Sequence, residues 1–280
     1  MAPEITYLVS NYNKGLYIAD CLASLHAQTC PDWRCLICDD KSTDDSLARI
    51  RPWLSDKIQL LQNDQNQGVI YTLGRLIAAA PTDIVGVLDA DDALYPEATG
   101  LILDAYAKHP TVGFVYSNFT RYSADLVTPL GSGFGRALPP GRTSLACDFV
   151  SAIRTFRVSV YQRTVGIDAA PLYAEDRDLV YKMEEVTPFF CIEQEIYKYR
   201  LLPHSQSHEP YTRKIAQQSH RRAYLNALDR RKIGGMRRLG YQLYSMNYYW
   251  IGQNHSPIRQ FLARCCWRFT NRLMFWLGCR

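Results

Sequence analysis

The chain lacks the signatures of the commonest nucleotide-binding and membrane classes. After its first apolar run, where a dinucleotide oxidoreductase would carry GxGxxG, it reads SNYNKG, which excludes hydride transfer from a nicotinamide. No GxxxxGK[ST] occurs, so the P-loop NTPases are excluded as well. No apolar run approaches the roughly 18 residues that a spanning helix needs. The opening MAPEITYLVSNYN has no charged segment ahead of an apolar core, so no secretory signal is expected. The nine cysteines are odd in number and scattered, which favours free thiols in a reducing, cytoplasmic compartment. Cys35 and Cys38 form a CxxC inside the apolar stretch WRCLICDD, with no second CxxC and no nearby His. They read as buried strand cysteines, not as a zinc or redox pair. Acidic residues are scarce at one end: residues 200–280 hold 15 Lys or Arg against two acids, whereas residues 1–199 hold 17 against 25. The net charge of +5 therefore joins an acidic body, 1–207, to a basic, aromatic, helical extension, 208–280, suited to an anionic partner.

What is present is an alternation of strand and helix patterns. EITYLVS (4–10), WRCLICDD (33–40), KIQLLQN (57–63), DIVGVLD (83–89) and VGFVYS (112–117) read as strands. Helices are expected over 15–29, from Ser42 or Thr43 as N-cap, over 68–80 and over 96–108. This order predicts an α/β fold with a mostly parallel, Rossmann-like sheet covered by helices on both faces. In open sheets of this kind ligands bind beyond the carboxyl ends of the strands. Three polar clusters fall there: Ser10 to Asn13, Asp39 with Asp40, and the acids of VGVLDADDALYP, Asp89, Asp91 and Asp92. One cluster alone would pass for a solvated turn. Three on one edge indicate a site, in which Ser10, Tyr12 and Asp39 hold a nucleotide and the acids of 89–92 hold a divalent metal against its phosphates.

Five stretches carry a resemblance: LVSNYNKGLYIADCLASLHAQT, DWRCLICDDKSTDDS, NQGVIYTLGRLIAAA, DIVGVLDADDALYP and AEDRDLVYKM. In this order they resemble family 2 of the inverting nucleotide-sugar glycosyltransferases, which have the GT-A fold, over about residues 4–207. The resemblance implies a base pocket lined by Ser10 and Tyr12, with Asp39 on the uracil or ribose and Asp40 supporting it. Asp89 and Asp91 match the DxD motif. Asp91 would be the principal ligand of Mn²⁺ or Mg²⁺, Asp89 would contact the ribose or a metal-bound water, and Asp92 is their neighbour. Transfer also needs a base for the acceptor hydroxyl. Glu175, Asp176 and Asp178 stand in the family's ED stretch, with Asp176 the expected base and Glu175 orienting the acceptor. The family's YR-x-H-P-x-S-x-S stretch reads YRLLPHSQS here: Leu202 takes the place of the usual His, and His204 follows two residues later. Arg200, His204 and Ser207 are the candidate diphosphate contacts. The implied partners are a nucleotide-sugar donor, most often a UDP-sugar, and a glycan or lipid-linked acceptor. Residues 121–144, rich in Gly and Pro, are expected to form a loop region on the acceptor side. Two rivals remain on the sequence. A sugar-nucleotide nucleotidyltransferase would show a Gly-rich basic loop that SNYNKG lacks. A dead binding relative would not need the intact acids at 39, 89, 91 and 176.

The tail IRQFLARCCWRFTNRLMFWLGC (258–279) places Ile258, Phe261, Leu262, Cys265, Phe269, Leu273 and Trp276 on one helical face beside Arg264, Arg268 and Arg272. Such a helix suits an anionic lipid interface, giving peripheral association at the inner face of a membrane. The alternative is a helix that docks its apolar face on the catalytic domain. No nucleic-acid motif accompanies the aromatics of 241–250, so no nucleic-acid partner is expected.

Overall fold

The computed structural model describes residues 4–168, 174–202, 210–251 and Met274. Two compact units make up the chain: residues 1–137, 149–169 and 186–205 form the first, and residues 138–148, 170–185 and 206–280 the second.

The first unit is built on one mixed sheet. Its strands are β1 (Ile5–Asn11), β2 (Trp33–Asp39), β3 (Ile58–Gln62), β4 (Ile84–Val87), β5 (Ala93–Leu94), β6 (Phe114–Tyr122), β7 (Pro129–Ser132), β8 (Arg154–Arg157) and β9 (Phe189–Arg200). They run in the order β3-β2-β1-β4-β8-β6-β9-β5, with β7 paired to β6. The first four are parallel. β8 is antiparallel to both β4 and β6, and β9 is parallel to β6. Between strands run α1 (Ile18–His26), α2 (Ser46–Ile50), α3 (Val69–Ala79), α4 (Ala98–Lys108) and the single turn α5 (Val158–Tyr161). Near-continuous apolar runs fit the buried parallel strands: Ile5, Tyr7, Leu8 and Val9 of β1 and Cys35, Leu36, Ile37 and Cys38 of β2 are all inaccessible or nearly so. The two cysteines of the CxxC thus lie in the core, and burial pushes the thiol of each up from its ordinary range.

The parallel half agrees with the sequence pattern; the rest extends it. The fifth strand runs to Tyr122, and the region expected to be loop contributes β7. Ser42 and Thr43 do not cap α2. Asp45 stands at the N-cap without a side-chain cap bond, and the Ser42 hydroxyl is donated to Asp39 instead. A carboxylate that is buried at 1% exposure needs donors more than an exposed helix end does.

The second unit is helical: α6 (Glu175–Glu184), α7 (Pro210–Arg230) and α8 (Gly235–Ile251). Its core joins Leu145, Ala146, Tyr181, Ala223, Tyr224, Ala227, Leu228, Tyr241 and Met274. No described helix is long and apolar enough to cross a membrane. Apart from Met274, the tail face expected over 258–279 lies outside the described residues, as do His204 and Ser207.

Candidate active site

Because β2 and β4 flank β1 on opposite sides, the strand order reverses beside β1, and the crevice beyond its carboxyl end is where a ligand belongs in such a sheet. The loop after β1 is tied to the loop after β2. Asn13 adopts a left-handed conformation (φ 52°), one that Asn tolerates better than most residues. Its Oδ1 accepts from the Thr43 N–H at 2.8 Å, and its own N–H donates to Ser42 Oγ at 2.9 Å. Asp39 anchors the junction by accepting from Asn11 Nδ2 (2.7 Å), Ser42 N–H (3.0 Å) and Ser42 Oγ–H (2.6 Å). The Asn11 amide must turn its nitrogen to this carboxylate, which leaves Asn11 Oδ1 buried and accepting no bond from the described residues. Ser10 is half-buried and Tyr12 is 45% exposed, the ring left accessible at the edge.

Asp40 works on the next element. Its Oδ1 accepts from Asn63 Nδ2 and the Gln67 N–H, its Oδ2 from the Gly68 N–H, all within 2.8 Å. Gly68 sits at φ 84° at the start of α3, a conformation that favours glycine. Asp40 thus fixes the entry of α3. Beside it opens a polar cleft of about 440 Å³ lined by Gln62, Asn63, Asp64, Gln67, Tyr71 and Arg75. The Arg75 guanidinium donates to Gln62 O and Asn63 Oδ1. The sequence reading missed this cleft; its signal was the amide-rich NDQNQG ahead of a helix carrying one Arg.

The three acids after β4 have separate fates. Asp92 folds back into the protein at 2% exposure. Its Oδ1 accepts from the Arg200 N–H and its Oδ2 from Tyr197 Oη–H, both at 2.7 Å. The Tyr197 oxygen in turn accepts from the Asp89 N–H at 3.3 Å. Burial, reinforced by the charges of Asp89 and Asp91, pushes the Asp92 carboxyl well above the usual carboxylate range. Sequence placed Asp92 among the metal ligands; here its two oxygens serve the hydrogen bonds that hold the turn. Arg200 likewise departs from its expected task on a diphosphate. Its side chain is only 2% exposed and pairs with Asp20 at 2.7 Å. Nε donates to Asp91 O, another nitrogen donates to Ala124 O, and the guanidinium lies over the Tyr17 ring. A buried guanidinium with every side committed positions the DxD turn from behind.

Asp91 points the other way. Its carboxylate is partly exposed, and Lys14 Nζ pairs with Oδ2 at 2.5 Å. Among the described residues no three His, Cys, Asp or Glu side chains converge as a complete metal cage. The carboxylates of Asp91 and Asp89 are of the donor type that could hold Mg²⁺ or Mn²⁺, whose hard charge prefers oxygen. Mg²⁺ in particular is typically held by one or two carboxylates together with substrate phosphates and water.

In the second unit, α6 opens with Glu175, Asp176 and Asp178 in its first turn, where the helix dipole favours negative charge. Asp178 is buried and forms an ion pair with the buried Lys182 at 2.5 Å. That pair removes Asp178 from the candidates for a base and leaves Asp176 and Glu175, both partly exposed. The other end of α6 is clamped: Glu184 accepts from Ser144 N–H and Oγ–H and pairs with Arg231 at 2.8 Å, and Glu185 pairs with Arg230.

Comparison with known proteins bears on the family and the fold. The family model described as "Glycosyl transferase family 2" matches residues 6–165. Chondroitin synthase of Escherichia coli is 27% identical over 190 residues, covering 67% of this chain and 27% of that protein. The chain therefore spans about a quarter of that relative. Among solved structures, Staphylococcus aureus TarS 1–349 in complex with UDP superposes with a TM-score of 0.57 at 14% identity, covering 97% of this chain and 90% of that one. The mannosyltransferase PcManGT from Pyrobaculum calidifontis, in complex with GDP-Man and Mn²⁺, gives 0.57 at 14%, covering 99% and 87%. These likenesses identify the GT-A fold.

Proposed function

Because the chain belongs to glycosyl transferase family 2, and is thus a glycosyltransferase, we propose that it moves a sugar from a UDP-sugar to an acceptor hydroxyl in polysaccharide or glycoconjugate synthesis, with inversion and with a divalent metal. The observation that carries the reading is the division of labour among the acids. Asp40 and Asp92 are buried in structural bonds, while Asp91 is held partly exposed at the carboxyl edge of the sheet with a cation already on it.

In this reading Tyr12 stacks on the base, and Ser10 and Asp39 hold base and ribose. Asp91, with Asp89 beside it, would hold Mn²⁺ or Mg²⁺. Such an ion supplies charge stabilisation for the departing diphosphate. Asp176 takes the proton of the acceptor hydroxyl as that oxygen attacks the sugar from the face opposite the diphosphate, and Glu175 orients the acceptor. Peripheral membrane attachment through 258–280 would suit a lipid-linked acceptor; it rests on the arginine and aromatic pattern of that segment, and cosedimentation with anionic liposomes tests it.

Titration calorimetry with UDP and GDP, in Mn²⁺ and in EDTA, tests the donor site. Wild type should bind UDP more tightly with Mn²⁺, and Asp91→Ala should lose that difference while staying folded. Equal affinity with Mn²⁺ and EDTA in wild type removes the metal from the reading.

A further inference from the structure

Lys14 has no task in the reading above, yet its placement is more constrained than that of an ordinary surface lysine. Its N–H donates to Ser46 Oγ, and the next N–H, that of Gly15, donates to Asp44 Oδ2 at 2.9 Å. A Cβ on Gly15 would lie 2.9 Å from Ser46 N and collide with the Asp45 carboxylate, so only glycine lets this turn pack on residues 44–46. The Lys14 carbonyl accepts from the Tyr17 and Ile18 N–H groups at the start of α1. The root of the side chain is therefore fixed from both sides. Its tip crosses to Asp91, 77 residues away in sequence, with a third of the lysine side chain still exposed.

The pairing sets up a competition. The ammonium rests on Oδ2 of the carboxylate that the donor-site reading gives to the metal. A lysine carries a compact charge on a flexible stem, so the tip can leave Asp91 without moving the clamped backbone. Donor-free, the acids after β4 need a cation to offset their mutual repulsion. A divalent ion bound with a diphosphate would offer Asp91 a stronger cation, and the diphosphate would offer the displaced ammonium an anion. We propose that Lys14 is a placeholder: it holds Asp91 in the donor-free enzyme, yields that oxygen to the incoming metal, and then pairs with the donor's diphosphate. Lys14 is thus a positioning residue before donor binding and a phosphate contact after it. The inference rests on the donor-site reading, so its test must fail separately from that reading.

The test uses the full chain as wild type, Lys14→Met and Lys14→Arg. Mn²⁺ alone is titrated and followed by the electron paramagnetic resonance of the free ion; UDP and GDP are titrated calorimetrically in EDTA. Thermal unfolding in EDTA verifies that each variant is folded. Lys14→Met should bind Mn²⁺ about two- to fivefold more tightly than wild type, the change expected on removing a partly exposed ion pair that competes with the metal. The same variant should bind the nucleoside diphosphate at least about twofold more weakly in EDTA, and Lys14→Arg should recover that loss. Wild-type binding of Mn²⁺ and diphosphate with either affinity unchanged in Lys14→Met overturns the placeholder and leaves the donor site standing. A wild type that binds neither UDP nor GDP overturns the donor site and the placeholder together.

Discussion

At the residue scale, one residue type performs four jobs, and environment assigns them. Asp40 is buried among backbone N–H groups and fixes a helix entry. Asp92 is buried against a phenol and a backbone N–H and fixes a turn. Asp178 neutralises a buried lysine, and Asp91 stays partly exposed with a cation on it. The composition of DADD or EDRD contains none of these distinctions, because each depends on a partner supplied from elsewhere in the fold. The placement of Asp39 at the end of β2 and of Asp91 after β4 was legible in the sequence, because each follows an apolar run. The contacts of Lys14, to which the sequence pattern assigns no role, and of Arg200 were not legible, since they join residues 77 and 109 positions apart. The Asp178–Lys182 pair yields a prediction of its own. Removing one partner of a buried ion pair leaves an uncompensated charge and costs about 3–5 kcal/mol. Lys182→Met should lower unfolding stability by about that amount in urea melts. A loss below about 1 kcal/mol would mean that the pair is solvated in solution.

At the element scale, the apolar runs of β1, β2 and β4 made the parallel half of the sheet readable, because strands buried on both faces need nothing else. β9 was less visible. Its FFCIEQEIYKYR mixes buried and exposed positions irregularly, with register shifts where it pairs with β6. Yet β9 brings Tyr197 and Arg200 to the acids after β4. The proposed donor edge is therefore braced by an element that sequence periodicity did not announce. Tyr197→Phe tests the brace. It removes the hydroxyl that donates to Asp92 Oδ2 and accepts from the Asp89 N–H, and leaving buried polar groups unpaired costs about 1–3 kcal/mol. The variant should unfold at lower denaturant and bind UDP with Mn²⁺ more weakly. Unchanged stability together with unchanged affinity would show that the turn does not depend on β9.

At the scale of the whole molecule, the acids proposed to hold the donor and the proposed base belong to different compact units. The first unit carries Asp39, Asp89 and Asp91; α6, with Asp176, belongs to the second and shares a core with α7 and α8. The basic C-terminal segment is more than an appendage, since Tyr224 donates to Leu145 O and Tyr241 O and Arg231 reaches Glu184. Sequence showed the change in charge near residue 200 but not that 138–148 and 170–185 pack with the tail, because packing of distant segments leaves no local periodicity. The separation of donor holding from proton removal gives the central claim its most direct measurement: the donor affinity and turnover of Asp176→Asn, by calorimetry with UDP and Mn²⁺ and by release of nucleoside diphosphate at saturating acceptor. Donor affinity should stay within about threefold of wild type, while turnover falls by roughly a hundredfold or more, as loss of a general base requires. Turnover equal to wild type, with affinity preserved, would contradict Asp176 as the base and with it the proposed mechanism.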